Sequence, residues 1–387
     1  MPLTRIGLAL WAATLLAVTL GVSSGEAILA VLERTAPVLG FAVAITMVAD
    51  VAFRSGLFTS LAETLARGAR HRRWVLFAGV VLLATVCTAF LSLDTTAVLL
   101  TPIAVLLAQH TKIPALPFAL ATVWIANTAS LTLPVSNLTN LLALHRMGDP
   151  SPVTWLDRFW LPSLVAIAVT CAAIAFVSRH ELRGRFTLAE RTPTPDRQLW
   201  WIAAIIVGAL LPSFLLPVQP WIPATVAAAA LGGAAAARRH VKATQWRAPW
   251  RDVPWALIVF ASGLFVAAHV VEQQLLPHVS LDRWGTGAGA ALVAAGAGLL
   301  SANLINNLPA YLLLEPIAGD GLALEALIVG VNVGPLILPW ASLATLLWHR
   351  QLEALGVEVP WRRYIAMGAI LAPAAVAAST ATILLTR

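Results

Sequence analysis

The sequence predicts an all-α polytopic membrane protein of two inverted-topology repeats, each with a re-entrant hairpin and a discontinuous transmembrane helix. Three observations predict it. Of the 387 residues, 59% are hydrophobic and 11% charged, against roughly 25% charged in soluble domains, and mean hydropathy is +0.83. Apolar stretches approaching the ~20 residues that cross a bilayer recur along the whole chain. Four polar or proline-bearing segments lie inside such stretches: SLDTT (92–96), NTASLTLPVSN (127–137), NLINNLP (303–309) and NVGPLILPWAS (332–342).

The net charge of +7 does not point to nucleic acid, because the basic residues fall in short runs between apolar segments. That is the positive-inside pattern. RGARHRR (67–73), RHELRGRFTLAERTPTPDR (179–197) and RRHVKATQWRAPWR (238–251) are assigned to the cytoplasm, with HTK (110–112) and WRR (361–363) as weaker members. The loops around Gly25-Glu26 and Gly319-Asp320 are assigned outside. Cys87 and Cys171 both lie in apolar segments, and two cysteines make neither a disulfide framework nor a closed metal site.

Threading the chain so that basic loops share one side orders the elements. The first apolar stretch, 6–21, resembles a signal peptide but reads as an uncleaved span, since many spans follow. Span two covers about 35–53, and LFTSLAETLAR is an interfacial amphipathic helix with Leu57, Phe58, Leu61 and Leu65 on one side. Segment 74–109 starts after one basic loop and ends before another, so it turns back at SLDTT as a re-entrant hairpin. A span over 115–146 is broken at 127–137, where seven of eleven residues are Asn, Thr, Ser or Pro. Irregular backbone at that depth is tolerated only where it is buried in protein or lines a cavity. The span 160–178 closes the first repeat, 1–178. A basic cytoplasmic linker (179–198) and a connecting span (199–220) lead to the second repeat, 221–387, with its hairpin at 285–318, its broken helix at 323–350 and a last span at about 364–384.

The repeats align without gaps at the broken helices: Asn127 on Asn332, Pro134 on Pro339, Asn137 on Ser342, Asn140 on Thr345. The hairpins align as LLTPI (99–103) on LLEPI (313–317). Loop charges turn the second copy upside down, a pattern that marks secondary transporters with a mid-membrane site. The four polar segments are the candidate site, and Pro134, Pro309, Pro335 and Pro339 hold its breaks open, because proline donates no backbone hydrogen bond.

Asp94 is its sharpest residue. An acid at mid-membrane depth is functional by default, and it suits a group that binds and releases a proton; the bland reading is that it caps the second hairpin arm. Asp50, one turn before Arg54, reads as a surface pair. Glu315 reads as snorkelling to the surface, and His269 as packed or interfacial. GTGAGA (285–290) opens a hairpin arm with no strand before it, so small residues for close helix contact explain it. No HExxH, GxSxG or GxxxxGK[ST] occurs, which leaves no common hydrolase or ATPase motif.

SLDTTAVLLTPI, WIANTASLTLPVSNLTNLL, NNLPA and GPLILPWASLATLLW resemble the arsenical-pump membrane proteins, arsenite and antimonite exporters of the ion transporter superfamily. The resemblance covers most of the chain, most strongly 89–145 and 303–350. It implies a secondary transporter in the inner membrane, N-terminus cytoplasmic and C-terminus outside, that exports neutral metalloid hydroxides in exchange for protons. It implies no enzyme activity and no cofactor; in some members a soluble arsenical-pump ATPase is a partner. Asp94 matches the acid of the family's first hairpin tip and is assigned the proton. The substrate is assigned to Thr95, Thr96, Asn127, Thr128, Ser130, Ser136, Asn137, Asn303, Asn306, Asn307, Asn332 and Ser342. The chain departs from the family where Asn127 and Asn332 replace Asp and Leu336 replaces Lys, which leaves Asp94 as the one obvious ionisable group in the site. An organic anion carrier or a sodium/proton antiporter of the same superfamily is the alternative.

Overall fold

The computed structural model describes residues 2–187, 196–238, 255–275, 284 and 287–386. Parts of the linker at 179–198 and of the basic run 238–251, and the first two residues of GTGAGA, lie outside the described residues. Among the described residues the regular elements are helices, with one isolated β-bridge.

The first half runs α1 (Pro2–Thr19), α2 (Gly25–Arg54) and α3 (Leu57–Gly68). Ser24 Oγ accepts from Ala27 N at 3.1 Å and Glu26 sits in the first turn, where a carboxylate complements the helix dipole. Residues 25–34, expected to lie ahead of span two, are therefore its first turns. On α3 the buried face is Leu57, Phe58, Ala62 and Ala66. Leu61, expected on that face, is 41% exposed, because the i, i+4 stripe runs from Phe58 through the two alanines.

The first hairpin is α4 (Arg73–Leu91), a tip at Ser92, then α5 (Leu93–Thr95), a wide π turn (Thr96–Leu100) and α6 (Thr101–His110). The broken helix is α7 (Leu116–Ala129), a tight turn at Pro134–Ser136, and α8 (Leu138–Arg146). The span α9 (Pro152–Val177) begins earlier than the predicted 160, since Ser151 caps it and Pro152 occupies its first position. The chain continues through α10 (Arg197–Ser213), α11 (Trp221–Arg238) and α12 (Trp255–Leu275). A second hairpin, α13 (Gly287–Ile305) and α14 (Asn307–Ala318), precedes the second broken helix, α15 (Leu322–Val333) and α16 (Leu343–Ala354), and then α17 (Trp361–Thr386).

The halves are built alike and interlock. The tips have the same backbone, Ser92 at φ 90°, ψ 158° and Asn306 at φ 92°, ψ 150°. The residues that restart the broken helices also match, Asn137 at φ −149°, ψ 144° and Ser342 at φ −139°, ψ 143°. Contacts are reciprocal: α1 packs on α12 and α11 on α2, α4 on α7 and α13 on α15, α9 on α7 and α17 on α15. Gly330 brings α15 against α13 so closely that a Cβ there would lie 2.3 Å from Ala295 O.

With 30 residues, α2 is about 45 Å long and serves as a ruler. At its C-terminal end lie α3 and the mouth of the first hairpin. There Phe186 N donates to His71 O at 2.9 Å and Arg72 bridges Arg185, so two basic runs lie side by side. At its N-terminal end Gln274 Nε2 donates to Val22 O at 3.1 Å, and Arg34 shares a cavity with Asp320 at the mouth of the second hairpin. The mouths of the two hairpins thus lie toward opposite ends of α2. Six helices among the described residues are long and apolar enough to cross a membrane. Leu16, Phe176, Ile205, Leu304 and Ile370 are each at least 59% exposed on the outside of the bundle, a surface suited to hydrocarbon. The protein is a multi-pass membrane protein.

Candidate functional site

Both tips and both breaks meet at one small cavity of about 20 Å³ lined by Asp94, Asn137, Asn306, Asn307 and Ser342, with Phe260 and four leucines completing the wall. That is room for about one water.

At the first tip Ser92 does the capping. Its Oγ accepts from Thr95 N at 3.4 Å and donates to Thr95 Oγ1 at 3.1 Å. Thr96 Oγ1 accepts from Thr88 Oγ1 at 2.9 Å and donates to Ser92 O at 3.1 Å. Asp94 is therefore released from the capping role that its position suggested, and its Oδ1 is buried with no hydrogen-bond partner. A buried carboxylate oxygen left unpaired is costly; the residue that carries it lines the shared cavity.

At the first break, Asn127 Nδ2 and Thr128 Oγ1 turn back to the carbonyls of Val123 and Trp124, each at 2.9 Å. Ser130 Oγ donates to Asn127 O at 2.7 Å. Ser136 Oγ donates to Ala89 O at 2.9 Å, which ties the break to the first hairpin. Asn137 caps α8, its Oδ1 accepting from Thr139 N at 3.3 Å. On the other side Asn303 Nδ2 donates to Leu299 O (2.8 Å) and Gly334 O (2.9 Å), and its Oδ1 accepts from Ile337 N and Leu338 N, both at 3.2 Å. Every hydrogen-bonding direction of that amide is used, one within α13 and three to tie the second tip to the second break. Asn306 Nδ2 donates to Trp340 O at 2.9 Å, and Asn307 N to Ala341 O at 2.9 Å. Ser342 caps α16 through Ala344 N at 3.2 Å.

Asn332 joins the two breaks. Its Oδ1 accepts from Asn137 Nδ2, from Thr139 Oγ1 at 2.9 Å and from Ser130 Oγ at 3.4 Å. Its Nδ2 donates to Asn140 Oδ1 at 2.6 Å, and Asn140 Nδ2 reaches Ser130 O (2.7 Å) and Leu133 O (3.0 Å).

The thirteen residues singled out in the sequence thus separate. Asp94, Asn137, Asn306, Asn307 and Ser342 line the cavity. Thr95, Thr96, Asn127, Thr128, Ser130, Ser136, Asn303 and Asn332 hold the surrounding framework through the bonds above. Sequence reasoning passed over Thr139, Asn140 and Phe260; the spacing of Asn137 and Asn140, one helical turn apart, is the signal that finds Asn140. Cys87 is buried on α4 and Cys171 half-buried on α9, and neither lines the cavity. Among the described residues no group of three or more His, Cys, Asp or Glu is placed to hold a metal.

A wider cavity of about 390 Å³ opens at the N-terminal end of α2, walled in part by Arg34, His145, Arg146, His269, Glu315 and Asp320. Arg146 Nε lies 3.6 Å from Asp320 Oδ1. Glu315, expected to snorkel to the surface, is only 7% exposed, because α2, α8 and α12 wall it into this cavity. His269 lines the same wall, with Nε2 3.0 Å from Gln273 Nε2. Asp50 and Arg54 form the expected i, i+4 pair at 2.8 Å.

Comparison with known proteins bears on what this arrangement serves. The family described as citrate transporter matches residues 1–345. An arsenical pump membrane protein of Yersinia enterocolitica is 30% identical over 360 residues, covering 85% of this chain and 81% of that one. One from Escherichia coli is 28% identical over 358 residues, with the same coverage. The crystal structure of the Alcanivorax borkumensis YdaH transporter shares the fold, with a TM-score of 0.56 at 15% identity over 99% of this chain and 97% of that one. The chain belongs to the citrate transporter family, among the arsenical-pump membrane proteins, and it is a membrane transporter rather than an enzyme.

Proposed function

We propose that this member of the citrate transporter family exports trivalent metalloid, arsenite and antimonite as neutral hydroxides, across the inner membrane in exchange for protons. The observation that carries the reading is the wall of the tip cavity: one carboxylate, three amides and one hydroxyl, with no Lys, Arg or Cys. Arsenite at neutral pH is mostly As(OH)3, whose hydroxyls donate and accept, and amides and hydroxyls match both directions. Thiolate coordination asks for about three cysteines together, and the chain has two. The names of the bacterial relatives support the same substrate.

In this reading Asp94 carries the proton, the cavity-lining amides and Ser342 meet the substrate, and the remaining framework residues shape the site. Repeats 1–178 and 221–387 rock against each other, with the N-terminus in the cytoplasm and the C-terminus outside. Because the cavity holds about one water, the tips must part from the breaks to admit substrate. That is alternating access.

A second reading, an organic anion carrier, is favoured by the matching family's description and by Arg34 and Arg146 in the wider cavity. Everted vesicles under an imposed proton gradient separate the two. Uptake of arsenite and antimonite without succinate, citrate or sodium supports the exporter. Uptake of succinate or citrate without metalloid moves the assignment to the anion carrier.

A further inference from the structure

We propose that a proton route runs along one face of α14, from Glu315 in the wide cavity through Tyr311 to Asn307 and Asp94 at the tip cavity. It rests on the proton-exchange reading above and names the path that reading leaves open.

Asn307, Tyr311 and Glu315 are spaced i, i+4, i+8, so they stack on one face of the helix over about 12 Å of rise. They are 5%, 0% and 7% exposed. Each end of the stripe opens into a cavity: Glu315 lines the wide one and Asn307 the small one that also holds Asp94. The Tyr311 hydroxyl is buried within the electrostatic reach of the Glu315 carboxylate and makes no hydrogen bond. The route asks for a side-chain rotation that brings the two into line. The remaining buried side chains of this helix, Leu308, Ala310 and Ala318, are apolar.

The fold does not require this stripe. The hairpin alignment of LLTPI on LLEPI also sets Ser92 on Asn306, the two tip residues that share one backbone conformation. It places Leu93, Ala97 and Thr101 at the positions of Asn307, Tyr311 and Glu315. Two are apolar, and the third, Thr101, donates to Thr122 Oγ1 at 3.0 Å. One hairpin carries the polar line and the other does not, which gives the route a side.

Transfer along it leaves tyrosine unchanged. Glu315 takes a proton from water in the wide cavity and passes it to the Tyr311 oxygen, while the Tyr311 O–H proton moves on to the water that the tip cavity has room for. That water, held by the Asn307 amide, protonates Asp94. The charged and titratable groups facing Glu315 are Arg34 from α2, His145 and Arg146 from α8, His269 from α12 and Asp320 after α14. Neither α13 nor α15 contributes a residue to that wall.

The test uses the full-length protein in sided proteoliposomes, with a pH jump applied to the face that opens on the wide cavity. Protonation of Asp94 is followed by its carboxyl infrared band, assigned by its loss in Asp94→Asn. The band should rise about tenfold more slowly in Tyr311→Phe and Glu315→Gln, the scale of one hydrogen bond lost from a relay, and recover in part in Glu315→Asp. Wild-type rates in both variants, or no response of Asp94 to a jump on that face, overturn the route. Should Tyr311→Phe fail to insert, Glu315→Gln, which keeps the side-chain shape, decides alone. The readout needs no substrate. A protein that moves no metalloid but shows the slowed band keeps the route and loses the substrate reading, and the reverse pattern loses the route.

Discussion

Asn332 Nδ2 donates a 2.6 Å hydrogen bond to Asn140 Oδ1, and with it the two broken helices are locked together at their breaks. The same Asn332 side chain accepts from Asn137, Thr139 and Ser130, so one amide of the second half serves four residues of the first. All four residues are nearly or fully buried. In a low-dielectric surrounding each lost partner leaves a stranded polar group.

Asn332→Ala should therefore lower stability by about 2–4 kcal/mol, the sum expected for a few buried groups left unpaired. Thermal unfolding in detergent reads it. Asn127→Ala is the comparison: Asn127 bonds only within its own helix, through Val123 O, and its Oδ1 has no partner. It should cost clearly less, and equal losses in the two variants would show that Asn332 is not a hub.

Asp94→Asn should end proton-driven transport while leaving the protein folded, since Ser92 rather than Asp94 caps the hairpin arm. Ser92→Ala should do the opposite, costing about 1 kcal/mol of stability through the lost cap and keeping proton-driven flux. Flux in vesicles and unfolding of the purified proteins, measured side by side, give the contrast. Full pH-driven flux in Asp94→Asn removes Asp94 from the mechanism.

Cys87→Ser combined with Cys171→Ser should retain metalloid transport, since the two thiols sit on α4 and α9 away from the tip cavity. A folded but inactive double variant would restore sulfur coordination as the mode of recognition.

Asp196 caps α10 by accepting from Gln198 N (3.0 Å) and Leu199 N (3.2 Å), and it pairs with Arg238 at the end of α11. The Arg238 hydrogen bonds, and then the two backbone amides, hold its carboxyl below the usual carboxylate range. A carboxylate whose pKa is lowered by folding stabilises fully above its unfolded pKa of about 4 and loses that contribution as pH falls through the folded value. Wild type should thus unfold at a higher temperature than Asp196→Asn at pH ~6, and the gap should close as the pH is taken well below ~4. A gap that stays constant on acidification would show that the clamp is not ionic.

The sequence by itself determined the membrane class and the four places, at 92–96, 127–137, 303–309 and 332–342, where the helices turn or break. Polar residues and prolines inside apolar runs are local signals, and hydrocarbon tolerates them only where backbone turns or breaks. Span ends were less legible: Ser24 and Ser151 start α2 and α9 earlier than hydropathy alone suggests, because a cap acts through one hydrogen bond rather than through average polarity. Only the tertiary structure decided which polar residue does what. Asn127 and Asn332 align as mates, yet one amide folds back on its own helix and the other crosses to the opposite break. Glu315 reads as a surface acid until α2, α8 and α12 are seen to enclose it. A side chain's partners come from segments hundreds of residues away, and neither periodicity nor composition carries that information.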